Sequence, residues 1–135
     1  MFDTKVAILV HDGLAMWQKL NVTAFLATGM AGALPDAMGA PYEDAAGRLH
    51  ARLLGQPMLI FSASATTLQR AWQQSIQRDL TRAAYVRAMF DTGHDAANRA
   101  VFLAEPADAP DLVGLALHGP RKAIDKAIKG ATLHP

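Results

Sequence analysis

The chain contains no cysteine. That excludes disulfides and thiolate-ligated metal centres and is compatible with a reducing compartment. Long hydrophobic runs are also missing. Met1-Phe2-Asp3-Thr4-Lys5 leads into only five consecutive apolar residues, Val6-Ala7-Ile8-Leu9-Val10. A signal peptide needs a basic start and a longer apolar stretch, and a membrane span needs roughly 20 residues, so a cytoplasmic protein is expected. Neither sign of charge dominates: 13 Lys and Arg stand against 12 Asp and Glu, a formal net charge of +1. Such a balance supplies no broad basic surface for nucleic acid or an anionic membrane. There is no Walker loop, no GxGxxG, no nucleophile elbow, no internal repeat and no low-complexity tract.

What is present is a chain of 135 residues, 51% of them hydrophobic. This is enough to bury one core without covalent staples, and residues 1–135 are expected to form a single α/β domain. Val6 to Val10 is apolar at both parities, as a central strand covered on both faces must be. A helix follows from Gln18 to Ala31, rich in small residues, with Gly32 as its stop and Pro35 just beyond. Leu34 to Tyr42 reads as a loop, Ala45-Ala46-Gly47 as a turn, and Leu49 to Leu54 as either strand or short helix. Met58 to Phe61 is a second short buried strand. Thr66 and Gln69 have capping-box spacing ahead of an amphipathic helix carrying Leu68, Trp72 and Ile76. Tyr85 to Phe90 reads as a third strand, and Ala100 to Ala104 as a short edge strand or part of an insertion. Leu112 to Leu117 is the last core strand, and Pro120 opens a helix that turns Ile124 and Ile128 inward. Alternating strands and helices predict a three-layer α/β/α sandwich. Its sheet would be mixed and about four-stranded, because the short link between the third and fourth strands need not contain a crossover helix.

Two loops that follow core strands carry the suggestive chemistry. The first contains His11 and Asp12 and leads to Lys19 in the first turn of a helix. A lysine there opposes the helix dipole, a cost that is offset if the ammonium and the free N–H groups bind one anion. The second contains Asp91, Thr92, His94, Asp95 and Asn98. If the first and third strands run parallel and adjacent, both loops share one crevice. Asp91 would then orient Lys19 or activate water, and His94 would assist proton transfer. His11, Asp12, Thr23, Thr92 and Asp95 would contact the ligand, Thr23 because it lies one turn past Lys19 on the same helix face. Blander roles stand beside these: a solvated lysine, an Asx-turn aspartate, threonines bonded to local carbonyls. No spacing characteristic of a metal site is present, so neither a metal nor a cofactor is expected. The stripe Arg121, Lys122, Lys126 and Lys129 reads as the solvated face of an amphipathic helix.

The order of elements, with Phe90-Asp91-Thr92-Gly93 at one strand end and Leu115-Ala116-Leu117-His118-Gly119-Pro120 at another, resembles the type 2 peptidyl-tRNA hydrolases. Lys19 lies near the helix-start lysine of that family. The resemblance implies the hydrolase-like fold and the location of a site. Met16-Trp17-Gln18 stands where those enzymes carry lysines and glycines. Closer still, Lys19-Leu20-Asn21-Val22-Thr23-Ala24-Phe25-Leu26 and Gly55-Gln56-Pro57 resemble signature segments of a bacterial family of unknown function, number two thousand in the domain-of-unknown-function series. The expected activity is hydrolysis of a small ester- or amide-linked substrate through Lys19 and Asp91. The alternative is a non-catalytic module that binds a small molecule or a protein, and a true peptidyl-tRNA hydrolase ranks third. A small-molecule ligand and a homodimer are the expected partners; nucleic acid and membrane are not.

Overall fold

The computed structural model describes residues 2–135. Its main sheet has five strands: β1 (Thr4–His11), β4 (Met58–Ala63), β5 (Thr81–Val86), β6 (Leu112–Pro120) and β7 (Thr132–Leu133), in the order β5-β6-β1-β4-β7. The sheet is mixed, because β1 pairs parallel with β4 and antiparallel with β6, while β5–β6 and β4–β7 are antiparallel. The strand count exceeds the expected four by β7, a two-residue strand too short to carry a periodic signal. A separate hairpin is formed by β2 (Tyr42–Glu43) and β3 (Leu49–His50).

β1 explains the layering. Val6 to Val10 are at most 1% exposed, and alternate residues serve opposite cores. Val6, Ile8 and Val10 pack with Val22, Leu26 and Met30 of α1 (Met16–Ala33). Ala7 and Leu9 pack with Leu68 and Trp72 of α2 (Ala65–Gln77) and with Ile124 of α4 (Arg121–Ala127). Helices thus cover both faces, and each fully buried Ile, Leu or Val contributes about 1.5–3 kcal/mol. Lys5, at the solvent end of β1, donates to Asp125 at 2.7 Å and ties the strand to α4.

Four local expectations are corrected. Gly32 does not stop α1. The helix runs to Ala33, where the Leu34 amide bonds the Met30 carbonyl and Pro35 blocks continuation. α2 is capped by Ser64, whose Oγ accepts from the Thr67 amide at 3.1 Å, so it starts ahead of the Thr66 expected from the capping-box spacing. The third strand spans Thr81–Val86, and the chain then enters a 3-10 turn at Arg87–Asp91. The cause is the neighbouring strand: β6 begins at Leu112, the partner of Val86, and beyond it the Arg87 amide makes one last bond, to the Asp111 carbonyl at 3.0 Å, before the ladder ends. Lastly, Ala100 to Ala104 is no strand but mostly helix, within α3 (Asp95–Leu103). Its alanines favour helix, His94 caps it, and Asp95 suits the positive end of its dipole.

The β2–β3 hairpin is organised around Asp44. Its carboxylate accepts from the amides of Ala46 (2.9 Å) and Arg48 (3.0 Å) and from the Arg48 guanidinium (2.8 Å), and it lies 2.9 Å from His50 Nε2. Gly47 closes the turn at φ +83°, a conformation that disfavours a side chain. The His50 and Arg48 bonds lower the Asp44 pKa from 3.8 to about 2. Because the folded pKa is the lower one, this stabilisation is complete above pH 3.8 and is lost as pH falls toward about 2. NMR titration should therefore show the Ala46 and Arg48 amides shifting together with an apparent midpoint near pH 2, and an unperturbed midpoint near 3.8 would contradict the hydrogen-bonded turn.

Candidate functional site

Lys19 sits in the first turn of α1, a helix start without an acidic residue. The Gln18 side chain accepts from the Ala15 amide at 2.9 Å and closes one of the open N–H groups of that end. Lys19 is half-buried, and its ammonium lies 3.5 Å from His134 Nε2. His134 Nδ1 is 3.1 Å from the Pro135 carbonyl. One tautomer satisfies both contacts: the proton resides on Nδ1 and bonds the carbonyl, leaving the Nε2 lone pair to accept from the ammonium. An ammonium has three donors, so two remain for another group.

Around this pair lies an open pocket of about 300 Å³. Val10, Ile60, Met16 and Leu20 supply its apolar wall, and Lys19, Thr23, His134 and Pro135 the rest. The pocket exists because β7 pairs with β4, setting Leu133 opposite Phe61 and directing the His134 amide to the Ile60 carbonyl at 3.0 Å. Thr23 Oγ1 donates to the Lys19 carbonyl at 2.7 Å, which commits its proton and leaves it only acceptor capacity toward the pocket.

Lys19 and Thr23 are therefore brought together, but the second loop does not join them. β5 runs in the same direction as β1, as the shared-crevice expectation required, yet β6 lies between the two strands. Lys19 faces the β4–β7 side of α1. Asp91 follows Phe90, which packs edge-on against Trp17 on the other flank at a centroid distance of 5.7 Å. Among the described residues no ion pair links Lys19 to Asp91, whose side chain is exposed.

The remaining loop residues have local partners. His94 Nδ1 accepts from the Ala97 amide at 3.2 Å as the cap of α3, and Asp95 pairs with Arg99 at 2.7 Å one turn along. The Thr92 hydroxyl donates to the Met89 carbonyl at 2.9 Å and touches the Asn98 side chain. His11 Nδ1 accepts from the Gly13 amide at 2.9 Å, so the proton of its neutral ring is on Nε2; Asp12 Oδ1 lies 3.6 Å from the same nitrogen. Neither His11 nor Asp12 lines the Lys19 pocket. Among the described residues no group of three or more His, Asp or Glu side chains is placed to hold a metal ion, and no helix is long and apolar enough to cross a membrane.

The residue that sequence reasoning missed is His134. Nothing in its surroundings marks it, because its proximity to Lys19 comes from pairing between strands far apart in the chain. A larger open cavity, about 610 Å³, lies at the opposite end of the sheet, lined by Thr4, Gln56, Asp36 and His118 among others. Burial lowers the His118 pKa, which keeps that imidazole neutral at physiological pH.

No curated protein matches the chain. The solved structure of the protein of unknown function Atu0240 from Agrobacterium tumefaciens str. C58 is similar at a TM-score of 0.95 and 46% sequence identity, over 100% of both chains. The family model described as "Protein of unknown function (DUF2000)" matches residues 4–135, and the chain belongs to that family, as Lys19 to Leu26 and Gly55-Gln56-Pro57 implied.

Proposed function

We propose that this protein is a small-molecule-binding module whose ligand is a small anion with an apolar body, such as a carboxylate. The single observation behind this reading is the Lys19 ammonium at the rim of an apolar pocket, held by His134 with two donors to spare. The walls formed by Val10, Ile60, Met16 and Leu20 would take the apolar body and Lys19 the anionic head. The positive end of the α1 dipole favours the same charge. A volume of about 300 Å³ is at the small end of the range for ligand pockets.

Binding ranks ahead of hydrolysis because Asp91, the carboxylate expected to work with Lys19, is on the other flank of α1. The likeness in element order to the type 2 peptidyl-tRNA hydrolases is kept as part of this proposal, at the level of the scaffold.

Titration of hexanoate against the labelled protein is the direct test. Shifts should concentrate at Ile60, Leu20 and His134. Lys19→Ala should weaken binding about tenfold or more, since a hydrogen bond to a charged group contributes about 1.5–3 kcal/mol. Hexan-1-ol should bind at least about tenfold more weakly than hexanoate for the same reason. Equal affinity of wild type and Lys19→Ala would sink the proposal. Lys19-dependent turnover of a small ester would replace it with the hydrolase reading.

A further inference from the structure

α1 has an outer face unlike that of a surface helix. Trp17, Leu20, Asn21, Ala24, Phe25 and Thr28 are all exposed, and none is charged. The one charged residue of the 18-residue helix, Lys19, is half-buried beside His134. A helix on the surface of a globular protein ordinarily sets charged residues opposite its core stripe, and one that is apolar all round is covered. Here the inner stripe of Val22, Leu26 and Met30 is covered by the sheet, whereas on the outer face Trp17 and Phe25 touch Phe90 and Tyr85 with one flank and still remain 60% and 53% exposed.

A second uncovered surface lies on the β2–β3 hairpin. Tyr42, Leu49 and Leu53 are 56%, 70% and 58% exposed. Yet the hairpin is held in shape by the Asp44 hydrogen bonds, its two stems are joined by the Met38–Leu54 bridge, and Leu54 packs against the α1-side core. It is an ordered arm with no core beneath it.

We infer that the occupant of both surfaces is a second copy of this chain, in a two-fold dimer. In this dimer the α1 helices pack antiparallel through their outer faces, and the hairpin of each protomer covers the N-terminal half of the other's α1. Three observations favour a second copy over a different partner. First, the outer face of α1 is uncharged, so setting it against itself brings no like charges together; isologous contacts require such self-complementarity.

Second, the two surfaces fit each other by position. The hairpin follows α1 in the chain and so departs from the helix's C-terminal end. An antiparallel pairing of helices about 27 Å long puts that end beside Trp17 and Leu20 of the partner's helix. Third, the area suffices. Trp17, Leu20, Phe25, Tyr42, Leu49 and Leu53 are each 53–70% exposed. At roughly 100 Å² apiece they offer about 600 Å² per protomer, the lower bound of the roughly 600–1,000 Å² per partner of a specific interface.

Sedimentation equilibrium of the full chain at about 100 µM, well above a micromolar Kd, should give twice the 14.4 kDa of one chain. Ala24→Glu puts like charges together at the helix midpoint and Leu49→Asp charges the arm. Each should yield monomers at the same concentration, with the melting behaviour and circular dichroism of a folded chain. Because the chain has no cysteine, Ala24→Cys introduces a unique thiol that should oxidise to a disulfide-linked dimer. A wild-type chain that sediments as a monomer overturns the proposal and leaves the face to another protein. A dimer that survives both charged variants, or an Ala24→Cys protein that stays monomeric under oxidant, overturns the arrangement. Leu20 is shared between this interface and the wall of the Lys19 pocket, but Ala24 and Leu49 do not line that pocket, so the charged variants test the dimer without altering the proposed hexanoate site.

Discussion

Gly114→Val should fail to fold at 25 °C, and Gly114→Ala should fold with a loss of about 2 kcal/mol or more, read by urea denaturation. Gly114 lies on β6 beneath α1, paired with Val10 on one side and Tyr85 on the other. A methyl group there would stand 2.3 Å from Val22 Cγ1 and 2.9 Å from Leu26 Cδ1. Both side chains belong to the α1-facing core, and Val22 is fully buried. Relief requires either off-rotamer side chains or displacement of the helix, and overpacking of this kind costs about 1–3 kcal/mol or more.

Two effects oppose each other at this position. Replacing a strand glycine by alanine restricts the unfolded chain and by itself stabilises by roughly 0.5–1 kcal/mol. The steric term wins because 2.3 Å is far inside any carbon–carbon contact. The double variant Gly114→Ala/Val22→Ala separates the two explanations. Removing the Val22 methyls makes room for the new one, so the pair should be more stable than the sum of the single losses by about 0.5–3 kcal/mol. Strict additivity would show that the strain is elsewhere.

Leu9→Ala should destabilise by about 2–5 kcal/mol, measured by the same denaturation, because it empties the other core. Leu9 is fully buried at the centre of the sheet, on the face covered by α2 and α4. Its neighbours Leu115 and Leu117 stand on β6 and Phe61 on β4, strands hydrogen-bonded on either side of β1, and cannot close over the space without breaking register. Leu103→Ala removes the same atoms from a side chain that is 87% exposed and should change stability by no more than about 0.5 kcal/mol. A Leu9→Ala loss as small as the Leu103→Ala loss would mean that the sheet is not packed on both faces.

These two positions show what patterning could and could not reveal. Leu9 is readable in the sequence: apolar residues at both parities from Val6 to Val10 require cover on both sides, and the two cores sit where that parity puts them. Gly114 is not, since a glycine in an apolar run looks the same whether or not a valine from a distant helix rests on it. Tyr85 to Phe90 marks the same boundary. Its alternation suits a strand, but the strand ends at Val86 because β6 starts at Leu112, a fact of pairing rather than of local preference.

The candidate site divides in the same way. Lys19, the strand that precedes it and the presence of the helix that carries it follow from local patterning, because that depends on residues within a few turns of one another. The family, too, was legible in two short segments. Which groups share space with Lys19 depends on strand order, which periodicity does not encode. Placing β6 between β1 and β5 puts Asp91 beyond the far flank of α1, and pairing β7 with β4 delivers His134 to the ammonium. Local sequence thus determined the core strands, the long helices and their buried faces, through the periods of strand and helix. Only tertiary structure decided the neighbours of each polar side chain, because hydrogen-bonded strands bring together residues that lie far apart in the chain.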